Sequence, residues 1–327
     1  MIHSYQLVWL DYFPNERHFE LYRNNEAISR YNGRFFIYFV YFHDIKNQIS
    51  VKIYSQSEST KTLVHACLFE NCTTNGNAIS GGCLHFLEYG LIIINKVNCR
   101  RNSANNAPYS GQSITIHSEI SCISMLSISN CYGTGDFSPV LEINSDAIIS
   151  SLNETNNKCK DVTAFRLFTN SSTKYSLFSS NIASRYRILF WGIGKHTFIE
   201  NMVIDNNATS QGISLLEEES TLTLTRCSFV NNKGKILFYV HSYQNGISQM
   251  TIENCSLIGN EIDITYYTDP GMVLNIENIG ETSFQVFLPF LSPFDTLPPY
   301  QNYEISCNRI TCGNYFLIYL AEVIIIA

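Results

Sequence analysis

Apolar residues in this chain fall into short alternating runs broken by Asn, Gly and Ser. One set of runs covers residues 91–97, 125–128, 222–224 and 250–252, each just ahead of a cysteine or a residue like it. A second set covers residues 83–86, 113–116, 140–143, 165–168, 213–216 and 236–239. Alternation at a period of two is the pattern of a half-buried strand. A helical i, i+3, i+4 reading fails wherever Asn pairs and glycines interrupt it, so the pattern predicts strands and no helices. Residues 36–40 and 49–54 read as strands as well.

The runs recur with a phrase. Its clearest copies are Leu222-x-Leu224-x-x-Cys227-x-Phe229-x-Asn231-Asn232 and Met250-x-Ile252-x-x-Cys255-x-Leu257-x-x-Asn260. Weaker copies centre on Cys67 (with Val64, Phe69 and Asn71), Cys99 (Ile94, Asn102), Cys131 (Leu126, Ile128) and Cys159 (Asn156, Asn157), and Met202 (Ile199, Ile204, Asn207) stands in the cysteine's place once. Successive centres lie 32, 32, 28, 43, 25 and 28 residues apart. A period near thirty with two or three short strands per repeat indicates a solenoid. Propeller blades need about 40 residues and four strands, and a sandwich would carry hairpin turns without a locked period. What remains is a parallel β-helix of about seven to nine coils. The 43-residue interval is long for one coil and predicts either a degenerate coil around residues 178–184 or a protruding loop.

Stacked coils lie about 4.8 Å apart, so equivalent side chains form ladders along the axis. Cysteine suits a tight inner corner as a small hydrophobe that tolerates burial. The expected ladder is Cys67, Cys99, Cys131, Cys159, Met202, Cys227 and Cys255, with reduced thiols because parallel Cβ vectors make poor disulfide geometry. Asn at a corner can bridge to its copy in the next coil and satisfy amides that have left the sheet. Gly81, Gly82 and Gly212 mark corners that need positive φ or close backbone approach.

The organisation that follows is an aromatic-rich N-terminal cap with first strands over residues 1–60, β-helix repeats over 61–285, and a Pro-interrupted tail over 286–327. Pro289, Pro293, Pro298 and Pro299 make the tail an extended linker or a wrap around the last coil. The N-terminus lacks the basic and apolar regions of a signal peptide. Residues 315–327 are apolar but number thirteen and include Glu322, short of the roughly 20 that span a bilayer. They are expected to form a terminal strand or capping segment, with a truncated membrane anchor as the alternative.

Phe229-Val-Asn-Asn232, Leu257-Ile-Gly-Asn260 and Ile204-Asp-Asn-Asn207 resemble the FxxN half of the polymorphic outer membrane protein repeat, and Gly81-Gly82-Cys83-Leu84 resembles its GGA[ILV] half with Cys for Ala. The resemblance covers residues 65–260. It implies a right-handed parallel β-helix of the pectin-lyase-like kind, and a role in adhesion or surface display. Similar Cys- and Asn-rich repeats occur in β-helical surface proteins of anaerobic protozoa.

Composition narrows the function. A net charge of -7 argues against nucleic acid, which needs a cationic face. Charged residues reach only 15%, and 33 asparagines supply much of the polarity. Sequons at Asn71, Asn153, Asn170, Asn207 and Asn254 permit glycosylation on a secretory route. Cys307 and Cys312 are spaced for a local disulfide in an oxidising compartment, with free thiols the alternative. No cofactor or metal motif is present, since zinc sites want paired cysteines two to four residues apart within a set of four ligands.

The pectin-lyase fold also hosts carbohydrate enzymes, whose catalytic grooves bring carboxylates together. The aspartates at 136, 146, 161, 205, 263 and 269 are scattered. Asp205 with Glu217 or Glu219 is the best carboxylate pair on offer, and residues 217–219 read better as a solvated turn. His65, His85, His117 and His241 lie in or beside strands and read as surface or edge residues. The expectation is therefore a non-enzymatic, cell-surface or secreted solenoid whose partner is a glycan or protein ligand. A pectin-lyase-like hydrolase or lyase, or a diverged paralogue without activity, is the alternative.

Overall fold

The computed structural model describes residues 2–75, 82–105, 113–133, 140–159, 165–183, 186–190, 194–208, 214–218, 220–241 and 247–280. They form a parallel β-helix. Nine parallel pairings carry its first face from Arg34–Tyr38 through Lys61–His65, the starts of Leu91–Arg100, the middles of Ile114–Ser129 and Leu141–Thr155, then Ser171–Lys174, Lys195–Ile199, Thr221–Thr225 and Gln249–Glu253 to Val273–Glu277. The strand Glu20–Tyr22 adds one more rung below Arg34–Tyr38. The expected extra coil is present: Ser171–Lys174, Leu177–Ser179 and Ile182–Ala183 make one coil inside the 43-residue interval.

Each coil turns twice on residues with positive φ. The first corner is occupied by Phe39, Ala66, Lys96, Met125, Ser151, Tyr175, Glu200, Arg226, Asn254 and Asn278, and the second by Asp44, Asn71, Arg101, Asn130, Asn156, Ser180, Asp205, Asn231 and Gly259. Between them runs a short second face, such as Leu68–Glu70, Leu177–Ser179 and Ser228–Val230. Only one of these corner residues is glycine, so the stacked sheets hold the left-handed conformation against its usual cost. Beyond the second corner lies a narrow third ladder of Thr73–Asn75, Ser103–Asn105 and Tyr132–Gly133. A fourth face closes the coil, with Val51–Ser55, Leu84–Glu88 and the strands stacked on them. The fourth face takes up the second set of runs read from the sequence.

The residue after each corner points into the lumen, and here the cysteine ladder needs correction. Cys67, Cys227 and Cys255 do occupy one slot, after the first corner, shared with Val40, Val97, Leu126, Leu152, Ser176 and Asn201. Cys131 sits after the second corner with Cys72 and Asn102. Cys99 faces inward on the second face between Phe69 and Ile128, Cys159 lies on the third ladder beside Ile182, and Met202 pairs with Leu177 and Ser228 at the start of the second face. Both corners ask for a small buried residue five positions apart, as Ala66-Cys67 and Asn71-Cys72 show within one coil, so an alignment on cysteine merges them. Among the described residues no cysteine is joined in a disulfide. Burial pushes Cys67 and Cys131 up to about 12.

The second corner is instead an asparagine column. Asn102, Asn157, Asn181, Asn206, Asn232 and Asn260 each accept the backbone N–H of the preceding coil through Oδ1, at 2.8–3.1 Å. Their Nδ2 groups donate to carbonyls of that coil, from Phe69 to Phe229. These bonds satisfy backbone groups that would otherwise be buried without partners. Gly82 permits the close approach expected there, since a Cβ would lie 2.6 Å from the Cys72 carbonyl oxygen.

One helix departs from the all-strand expectation. The helix α1, Ile2–Tyr12, lies outside the first face, where Trp9 and Phe13 bury against Phe36, Tyr38, Leu63 and Ile93. It covers the flank of the early coils, and the strands of residues 20–55 already occupy coil positions beside it. Among the described residues no helix is long and apolar enough to cross a membrane.

Candidate functional site

Polar chemistry concentrates on the outside of the fourth face. Register places Ser29, Lys52, His85, Thr115, Glu142, Arg166, Leu189, Glu217, Tyr239 and Tyr267 in one column, one residue per coil, of which His85, Thr115, Glu142 and Arg166 are buried. Two residues along each strand a second column begins with Tyr31, Tyr54 and Leu87.

At the N-terminal end the rings of Tyr31 and Tyr54 stack at 5.5 Å and 13°. Tyr31 is 70% exposed, and the Lys52 ammonium sits 4.6 Å from the centre of the Tyr54 ring. Tyr31 therefore offers an exposed aromatic plane, backed by half-buried Tyr54 and its cation. The His85 ring follows, 6.4 Å from that of Tyr54. It is buried, and neither ring nitrogen has a hydrogen-bond partner. Burial first, and then the nearby His117 and Lys52 charges, hold it at about 3, so it is neutral at physiological pH.

Mid-face, Glu142 is buried and both of its oxygens are engaged. His117 Nε2 lies 3.0 Å from Oε1 and Arg166 Nη2 lies 3.0 Å from Oε2. The Arg166 guanidinium also rests 4.6 Å from the Phe168 ring. Farther on, Asp269 Oδ2 meets His241 Nδ1 at 2.7 Å while the Tyr239 hydroxyl donates to Asp269 Oδ1 at 3.1 Å. Each carboxylate is thus tied to positively charged or donor groups on its own or a neighbouring coil, which fixes rotamers.

The outer first face is different. Past the helix its column reads Ser172, Thr197, Thr223, Thr251 and Asn275, with Thr221 and Thr225 beside Thr223. This is a hydroxyl-lined flank at one group per coil.

The other residues singled out from the sequence spread over the coil. Asp205 stands exposed at the second corner whereas Glu217 belongs to a strand of the fourth face, so the best carboxylate pair lies on separate edges; Glu219 is outside the described residues. Asn71 and Asn254 are corner residues, Asn207 begins a strand of the third ladder, Asn170 precedes the first face, and all four are exposed; Asn153 is half-buried on the second face. Cys307, Cys312, Gly81, Gly212 and the 286–327 tail lie outside the described residues. Tyr31, Tyr54, Lys52, Glu142 and Arg166 went unread because column neighbours are 23 to 33 residues apart in sequence. The signal available was local: Lys52 and Tyr54 alternate with apolar Val51 and Ile53.

No protein-family model and no curated protein matches the chain. Among solved structures, the chain is similar to a double mutant of the periplasmic alginate epimerase AlgG, with 9% identity and a TM-score of 0.26 over 75% of this chain and 76% of that one. A likeness this distant carries no functional argument.

Proposed function

We propose that this is a non-enzymatic β-helical protein, exported to the cell surface or secreted, that binds an extended glycan along its fourth face. The observation that carries the reading is the exposed Tyr31–Tyr54 stack beneath Lys52, continuous with a polar column running up the coils. A sugar ring offers an apolar C–H face that fits an aromatic plane and hydroxyls that pair with charged and imidazole groups. A linear polymer matches a site that repeats once per coil. The role in adhesion and display implied by the polymorphic outer membrane protein resemblance agrees with this reading, and a protein ligand is the other occupant such a face could take.

The carbohydrate-enzyme alternative needs a carboxylate available for proton transfer. Both Glu142 oxygens are already engaged by His117 and Arg166, which leaves neither free for proton transfer.

The test is binding of the purified full chain to immobilised polysaccharides, beside a Tyr31→Ala/Tyr54→Ala double variant. The reading expects the double variant to bind at least tenfold more weakly with unchanged thermal stability. Equal binding by both proteins would overturn the assigned face. Turnover of a bound polysaccharide, lost in Glu142→Gln, would replace the reading with the enzyme alternative.

A further inference from the structure

The five sequons are not equivalent once folded. The atom modified in N-glycosylation is the side-chain Nδ2. It bonds to the anomeric carbon of a lipid-linked oligosaccharide diphosphate and gives up one proton, and the diphosphate leaves with the bonding pair. In the folded product that nitrogen must reach solvent. The exposed Asn207 side chain makes no hydrogen bond among the described residues. Asn254 is exposed at the first corner, where its Oδ1 accepts from Asn278 Nδ2 at 3.3 Å, a bond that an N-linked glycan leaves intact. Asn71 and Asn170 are exposed, but each commits Nδ2 to an aspartate, Asp44 and Asp146. Asn153 differs from all of these. It lies half-buried on the second face between Ser127 and Leu177, and its Oδ1 is buried without a partner. Its neighbour Glu154 points into the core.

We propose that Asn207 and Asn254 carry N-glycans in the native protein and that Asn153 carries none. This rests on the export proposed above. Asn254 lies at the first corner and Asn207 just past the second, so the glycans would flank the second face. They would leave the fourth face, with Tyr31, Tyr54 and Lys52, open to its ligand. Carbohydrate then shields one side of the coil while the opposite side recognises it.

The experiment supplies the chain with a cleavable leader in a eukaryotic secretory host, so entry into the pathway does not depend on the native route. Secreted, folded protein is deglycosylated enzymatically in heavy-oxygen water, and peptides are sequenced by mass spectrometry for marked aspartates. Marks at positions 207 and 254 with none at 153 are expected. Asn207→Gln and Asn254→Gln should each lose one glycan's worth of gel mobility shift, and Asn153→Gln should lose none. A marked residue at 153 in folded protein, or unmodified 207 and 254, would overturn the proposal. Native protein found without glycan and inside the cell, beside the expected pattern from the leader-directed chain, would instead refute the export reading alone.

Discussion

Asn206 accepts the backbone N–H of Asn181 through Oδ1 at 3.0 Å, one full coil away in space and 25 residues away in sequence. The same oxygen takes Asn181 Nδ2 at 3.1 Å, while Asn206 Nδ2 donates to Phe178 O at 2.9 Å and to Asn232 Oδ1 at 3.1 Å. The corner is therefore continuous from coil to coil. Asn206→Ala strands two buried backbone groups and should cost about 2–6 kcal/mol, at roughly 1–3 for each group left unsatisfied. Asn207→Ala, the exposed neighbour, should cost under about 0.5 kcal/mol as an ordinary surface change. Chemical denaturation of the two variants checks the contrast, and equal losses would remove the asparagine column from the account.

Cys227 holds its slot by size and apolarity, since the equivalent corner position is Val97 in one coil and Leu126 in another. Cys227→Val should change stability by less than about 1.5 kcal/mol, the range for swaps of similar volume in a core. Cys227→Asp should prevent stable folding by burying an unpaired charge. A thiol reagent applied to native protein should modify Cys122, the one described cysteine that is not fully buried, and reach the other eight only after unfolding.

Glu154 points into the core between Ile128 and Phe178, and neither carboxyl oxygen has a hydrogen-bond partner. Burial drives its pKa well above the usual carboxylate range. The folded state therefore keeps the proton that the unfolded state releases above about 4.5, and stability falls as pH rises from there toward the raised value. Glu154→Leu should remove that decline and stabilise the protein by about 1–4 kcal/mol at pH 7, as for other replacements of buried charges by packed apolar groups. Thermal melts across pH 4–8 measure it, and a destabilised Glu154→Leu would mean the carboxyl has a partner.

Histidines set the opposite slope. Burial holds His85 and His196 at about 3 in the fold, against about 6.5 unfolded. The unfolded state takes up protons first as pH drops below about 6.5, so stability is lost from there down toward 3. The loss approaches on the order of 3 kcal/mol for each histidine at pH 4, by the linkage of 1.36 kcal/mol per unit. His85→Phe should flatten the acid limb of the stability profile. An unchanged acid limb would place His85 in contact with solvent.

The sequence carried the fold through its strongest regularity. Alternating runs at 83–86, 113–116 and 140–143 all lie on the fourth face, and Asn102, Asn157, Asn232 and Asn260 of the phrase stand in the second-corner column, while Asn71 is the corner residue itself and Asn207 falls one residue past the column. The coil hidden between Cys159 and Met202 was legible because the period left room for it. Corner assignment was not legible. Lys96, Met125, Tyr175, Glu200 and Arg226 all take positive φ without the Gly or Asn signal that normally announces it, because stacked neighbours impose the turn. The helix α1 was not legible because Trp9, buried at its centre, packs against a strand face that only the fold creates. The fourth-face site was illegible for a related reason. Glu142 and Arg166 meet only after the chain has made a complete turn.

Equivalent residues of successive coils stack one rung apart along the axis. Spin labels at Thr197 and Thr223, partners on the outer first face, measure it directly in a Cys122→Ser background. Their backbones should lie about 5 Å apart, one rung, and the spectrum should show strong dipolar broadening, repeated for Thr223 with Thr251 and weaker for Thr197 with Thr251. Unbroadened spectra from both adjacent pairs in folded protein would contradict the stacking and the β-helix with it.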